Sequence, residues 1–167
     1  MAVVTTKSGP ITNRDATPQV KNNSSLEGGM MREVVGTLEA VNGDSIGSKY
    51  IFCQVPSNAR ISQVLLYCDD VGTTTVADFG LYRTTADGSA VVDADFFGSA
   101  VSLSGGALNG SDITHESAVF DPDDVEKPLW SALALSSDPK VMYDVVATLT
   151  AAADAAGTIS LKVRYSI

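Results

Sequence analysis

Apolar and polar side chains alternate along the last nine residues, "ISLKVRYSI". Ile159, Leu161, Val163, Tyr165 and Ile167 fall on one side, with Ser160, Lys162, Arg164 and Ser166 on the other. A two-residue period is that of a strand with one buried and one wet face. The stretch "MYDVVATLT" repeats the pattern, with Tyr143, Val145, Ala147 and Leu149 on one face. Between the two lies "AAADAAG", too short for a stable helix and closed by Gly157, which predicts a hairpin turn. Four earlier strands are predicted over 33–41, 48–55, 60–69 and 75–83, separated by the turn-rich connectors "NGDSIG", "PSNA" and "DVGTT". The segment "EKPLWSALAL" (126–135) reads as a further strand, entered at Pro128 and anchored in the core by Leu129 and Trp130. Residues 90–103, "AVVDADFFGSAVSL", fit neither period and suggest a short helix before a strand.

Six to eight short strands at this spacing, with no strong amphipathic helix, predict an all-β fold. The expected form is an antiparallel β-sandwich, with the jelly roll as a common variant. The first thirty residues break the rhythm. "TTKSGPITNRDATPQVKNNSSLEGG" is rich in Thr, Ser, Asn, Gly and Pro and has no periodicity. Such a segment buries too little apolar surface to offset its ordering entropy. Two parts are therefore expected: an extended polar N-terminal arm, residues 1–30, and a β-sandwich body, residues 31–167. The arm is either a disordered tail or a strap that orders on a neighbouring subunit.

Charge sharpens the division. The chain of 167 residues carries 11 basic and 20 acidic side chains, net −9, and the excess of acid belongs to the body. An acidic surface repels nucleic-acid phosphates, so no nucleic-acid partner is expected. The opening "MAVVTTKSGPITNRD" is too polar for a signal peptide, and no apolar run reaches membrane-spanning length. No membrane partner is expected, and synthesis in a reducing cytoplasm suits Cys53 and Cys68 as two separate core thiols.

The candidate chemistry is concentrated in "FDPDDVEKPLW", residues 120–130, with four carboxylates and the chain's single Trp. A calcium loop of the EF-hand type needs oxygen ligands at positions one, three and five, then Gly at six. Asp121 and Asp123 fit, but Val125 and Glu126 follow, and the match fails. A surface cation site on Asp121, Asp123 or Asp124 in another geometry stays open beside the structural reading, a solvated turn leading into a strand. His115 between Asp112 and Glu116 suggests an acid–base pair, yet zinc needs three or four ligands and this is the only histidine. No nucleophile elbow accompanies it, and an exposed loop position is the expectation. Asp93 and Asp95 form a D-x-D of a kind that holds metals in larger folds; in so acidic a chain it is expected by chance. Phosphate loops, dinucleotide fingerprints and paired-cysteine motifs are missing. No catalytic, cofactor-binding or metal residue is assigned, no cofactor is expected, and the chain is not read as an enzyme.

Two long stretches carry a resemblance: "GSKYIFCQVPSNARISQVLLYCDDVGTTTVADFGLYR" and "EKPLWSALALSSDPKVMYDVVATLTAAADAAGTISLKVRYSI". They resemble small virion structural proteins of tailed bacteriophages, over about residues 31–167 and part of the arm. The resemblance implies a sandwich on the phage particle, most simply a decoration or cement protein on the outside of the capsid. Its partner would be the major capsid protein, and its own state a homo-oligomer, with the trimer favoured. A tail, neck or head-fibre component is the alternative on the same particle. A carbohydrate-binding sandwich and a metal-dependent hydrolase are the readings outside it.

Overall fold

The computed structural model describes residues 4–167. Eight strands form two four-stranded antiparallel sheets that pack into a sandwich. In chain order they are β1 (Met31–Ala40), β2 (Lys49–Pro56), β3 (Arg60–Cys68), β4 (Val76–Arg83), β5 (Val91–Ser102), β6 (Leu108–Asp112), β7 (Met142–Ala151) and β8 (Gly157–Ser166). One sheet runs β1-β8-β3-β6 and the other β2-β7-β4-β5. First pairs with last, second with seventh, third with sixth and fourth with fifth. This nesting results when one long antiparallel ribbon, turned between β4 and β5, is rolled upon itself. The jelly-roll form raised from the sequence requires nesting of this kind.

Alternation supplies the core. Ile159, Leu161 and Val163 of β8 point inward with Ile61, Val64 and Leu66 of β3, and meet Phe79, Leu81, Val145, Ala147 and Leu149 from the opposite sheet. All eleven are essentially without exposure. At the β1/β2 side the sheets approach backbone to backbone. Gly36 faces the bulge at Phe52, and a Cβ on Gly36 would lie 2.1 Å from the Phe52 carbonyl oxygen. Glycine at this inward position lets the two edge strands close that side of the sandwich.

Three sequence expectations are corrected. "MYDVVATLT" and "ISLKVRYSI" are strands β7 and β8, but they do not form a hairpin, since they lie in different sheets. Their connector is an arch pinned to two other loops. The Ala153 amide donates to Asp44 O at 2.9 Å, and the Gly43 amide donates to Ala153 O at 2.9 Å. The Asp154 carboxylate accepts from the Thr73 amide at 2.9 Å and the Thr73 hydroxyl at 2.7 Å. Alternation reports which face of a strand is buried; it carries no information on the partner strand.

Residues 90–103 contain no helix. Between Phe79↔Gly98 and Leu81↔Asp93, two steps on β4 correspond to five on β5. The three extra residues are bulged, which scrambles the two-residue period. The segment 126–135 is not a strand but a turn followed by the short helix α2 (Leu129–Ala132), joined in the chain by an earlier helical turn, α1 (Gly9–Arg14). Pro128 stands immediately before α2, and the first amides of α2 find acceptors outside it. Leu129 N donates to Ala59 O at 2.8 Å and Trp130 N to Ser57 O at 2.9 Å. Strand β6, "LNGSD", was not expected from the sequence. It is short, polar and bulged, and its face is set by β3 rather than by its own pattern.

Candidate interaction surface

The acids of "FDPDDVEKPLW" build a corner. Asp121 precedes a single turn of 3-10 helix, Pro122–Asp124. The Asp124 amide donates to Asp121 O at 2.9 Å, and the Asp121 amide returns a bond to the Asp124 carboxylate at 3.3 Å. Lys127 Nζ donates to Asp124 Oδ1 at 2.6 Å and lies 3.5 Å from Asp123. Asp124 holds the lysine ammonium above its usual pKa. Asp123 is solvated as expected, whereas Asp124 is buried. Leu129 is fully buried; Trp130, expected in the core, is only half-buried. Downstream, Ser57 donates to Asp138 at 2.5 Å, tying the same corner to the β2–β3 turn. Among the described residues no three His, Cys, Asp or Glu side chains gather as a metal site would require.

His115 is not an exposed loop residue. Its Nδ1–H donates to Phe120 O at 2.6 Å, and its ring stacks on Phe120 at 5.2 Å between centroids. Because a carbonyl only accepts, the proton sits on Nδ1. The flanking acids look elsewhere. Asp112 accepts from the Thr114 amide and hydroxyl and from Gln63, while Glu116 accepts from the Ser99 amide at 2.7 Å. Asp112, His115 and Glu116, gathered within five residues of "DITHES", thus serve three separate structural contacts.

Asp93 and Asp95 lie two apart on β5. Burial, with the neighbouring Asp95 carboxyl, raises the Asp93 pKa. Cys68 is buried and Cys53 half-buried, both as free thiols, and burial pushes the Cys53 thiol up to about 12. Neither is a ready nucleophile. Asp144, on β7 across from Tyr82 and Gln54, is buried, and that burial alone raises its pKa. A carboxyl whose folded pKa exceeds its unfolded value opposes folding while ionised and is neutral in both states below 3.8. Asp144→Asn therefore raises the melting temperature at pH 7, and the gain over wild type shrinks towards zero as pH falls to 3.8. Thermal melts across that range check this; a gain that persisted undiminished in acid would contradict it.

The exposed features are surfaces. The outer face of the β1-β8-β3-β6 sheet carries a polar ladder across all four strands. Arg164 donates to Glu33 at 2.7 Å and to Gln63 at 2.9 Å, and Gln63 donates to Asp112 at 3.0 Å. The Arg164 guanidinium holds Glu33 below the usual carboxylate range. The wet side of "ISLKVRYSI" announced Arg164, but its direct partners in the ladder, Glu33 and Gln63, lie over a hundred residues away in sequence.

The arm lies against one end of this sheet. Residues 4–30 bury no side chain. They fold locally: Asn13 Nδ2 donates to Asn22 at 2.8 Å, and Lys7 and Arg14 both pair with Asp15 at 2.8 Å. The arm meets the body mainly at Ser25. Arg60 donates to the Ser25 hydroxyl at 2.7 Å, and Ser166 donates to Ser25 O at 2.9 Å. Arg60 also donates to Glu126 O at 3.0 Å, so it links the arm to the acidic corner. An open groove of about 380 Å³ lies there, lined by Leu26, Met31, Arg60, Ile61 and Val125 among others. Sequence reading missed Ser25, Arg60 and Ser166, whose roles depend on three distant segments meeting.

Most aromatic rings are withdrawn from solvent, and none is fully exposed. All five Phe and Tyr50, Tyr82 and Tyr143 are buried, and Tyr67, Tyr165 and Trp130 are half-buried. No helix among the described residues is long and apolar enough to cross a membrane. No protein-family model matches the chain, and no curated protein matches it. Among solved structures it is similar to a chain of the cyanophage Pam1 capsid asymmetric unit, at 17% identity and a TM-score of 0.47, covering 83% of this chain and 86% of that one. It is also similar to a chain of the acidic stable capsid of Helicobacter pylori bacteriophage KHP30, at 19% identity and a TM-score of 0.38, covering 83% and 94% respectively.

Proposed function

We propose that the chain is a structural protein of a phage particle, a decoration or cement protein that binds the major capsid lattice from outside as a homo-oligomer. One observation carries this reading beside the sequence resemblance: a closed sandwich presents a long arm, residues 4–30, that buries none of its own side chains. An arm held to its body by little more than the Ser25 contacts is free to exchange them for contacts on a neighbour. Burial gained there would offset the cost of ordering it. A cement protein stabilises by binding the assembled lattice better than its separated parts, and many weak contacts add through avidity. The acidic body, net −10 over residues 31–167, suits a basic partner surface. The withdrawn aromatic rings speak against a carbohydrate-binding module, which would present them to solvent.

Co-sedimentation with phage heads lacking this protein tests the reading. The full chain pellets with the heads, and a variant comprising residues 31–167 pellets far less. Equal attachment of both would remove the arm from the account.

A further inference from the structure

We infer that Asp144, on the outer face of the β2-β7-β4-β5 sheet, accepts a lysine or arginine side chain from the partner lattice, and that this face is the one applied to it. The inference deepens the reading above and rests on it for the partner. Tyr143, Val145, Ala147 and Leu149 of β7 turn inward to the core, so Asp144 and Val146 between them face outward. Register sets their neighbours. Gln54, Asp144 and Tyr82 lie opposite one another on β2, β7 and β4, as do Ile51, Val146 and Gly80, and then Lys49, Thr148 and Asp78. A bond between the Tyr82 and Thr148 hydroxyls at 2.7 Å carries the Tyr82 side chain along the face from the first of these rows to the third. Tyr82 and Val146 are buried without belonging to the core between the sheets, and form an apolar floor beside Asp144.

Asp144 is the anomaly of this face. It is 8% exposed, yet among the described residues no group donates a hydrogen bond to its carboxylate and no basic side chain pairs with it. Lys49, which shares the face, lies instead over the Tyr82 ring, 4.7 Å from its centroid. Neither Asp144 oxygen is sealed off, since the described residues hold no fully buried side-chain oxygen without a partner. Buried carboxylates are as a rule paired or hydrogen-bonded, because an unmet charge out of water is costly. One that lacks a partner in its own chain and still touches solvent is placed to be met from outside. No second and third acid gather with it as a metal would require, whereas a cationic side chain needs a single acceptor. Two exposed apolar side chains bracket the position. Met142 stands two residues before it on the same side of β7, 37% exposed, and Ile51 lies opposite Val146, 49% exposed. A protein surface seated on these closes Asp144 from water and strengthens an ion pair there. A second copy is the poorer occupant: at net −9 two copies repel, and a basic surface is attracted.

Titrating the full chain onto phage heads that lack it tests the inference. Asp144→Asn, which melts higher than wild type when free, is expected to attach about tenfold or more weakly, because one member of a desolvated pair is gone. A gain in stability with a loss of attachment is a combination that a purely structural residue would not produce. Asp123→Asn removes the same charge from an exposed site in the 120–130 corner and leaves attachment unchanged. Equal attachment of Asp144→Asn and wild type overturns the inference and leaves the head protein standing. Loss of self-association in Asp144→Asn, read by light scattering, would assign the cation to another copy and likewise overturn it. If wild type attaches to no head, the reading above falls, and the isolated chain decides the inference. N-acetyl-arginine amide is then expected to lower the titration midpoint of the Asp144 carboxyl, followed by carbon NMR, and N-acetyl-glutamine amide to leave it in place. A midpoint that neither compound moves overturns the inference.

Discussion

Gly36→Val is expected to destabilise the protein more than any other single substitution considered. A Cβ at this position would lie 2.1 Å from Phe52 O, 2.6 Å from its carbonyl carbon and 2.8 Å from its Cα. All three atoms are backbone, so no side chain can swing aside. Relief requires β1 to move away from the β2 bulge, opening the side of the sandwich that the two edges close. Overpacking a well-packed interior costs about 1–3 kcal/mol and occasionally more, and a backbone obstruction belongs at the upper end or beyond. Gly36→Ala should already cost at least about 2 kcal/mol on the same ground. Gly9→Ala is the matched control, with nothing within 4 Å of the added methyl. Chemical denaturation of the three variants measures the difference. A Gly36→Ala protein as stable as Gly9→Ala would mean that the two edges do not meet as described.

The corner formed by residues 120–141 supplies the second large effect. Leu129 is fully buried, and its amide bonds to Ala59 while that of Trp130 bonds to Ser57. Truncating a buried leucine to alanine costs about 2–5 kcal/mol, depending on how far the site collapses. Leu129→Ala is expected within that range. The acids tell the opposite story. Asp121→Asn with Asp123→Asn removes two exposed carboxylates, and exposed ion pairs contribute only about 0–1 kcal/mol. A denaturation series with and without calcium decides between a corner and a cation site. The corner predicts a large loss for Leu129→Ala, a small one for the Asn pair and no response of wild type to calcium. Calcium-dependent stabilisation that vanished in the Asn pair would contradict it.

These contrasts show what the chain states openly and what it conceals. Strands β1 to β4, β7 and β8 could be read because their side chains alternate or run apolar between turn residues. "ISLKVRYSI" divided its faces correctly over Ile159 to Arg164, with Lys162 and Arg164 on the outside, but Tyr165 is only half-buried and Ile167, expected inside, is exposed. Strand β5 was obscured because three bulged residues shifted the phase between Asp93 and Gly98. The late arch between β7 and β8 looked like a hairpin because Asp154 and Ala153, which anchor it, bond to Thr73 and to Asp44, residues remote in sequence. "EKPLW" looked like the start of a strand because Pro, Leu and Trp suit a sheet edge as well as a helical turn. Its course was decided by acceptors at Ser57 and Ala59. Surfaces were harder still. The Ser25–Arg60–Ser166 latch exists only once the arm, β3 and β8 are brought together, and no local pattern encodes it.

The central claim, attachment to a phage head, is tested most directly by electron microscopy of heads lacking this protein after incubation with the full chain. The account predicts ordered added density on the outer surface of the lattice, and heads that withstand higher temperature before releasing their DNA. Heads that stay bare, or density confined to the tail or neck, would contradict it.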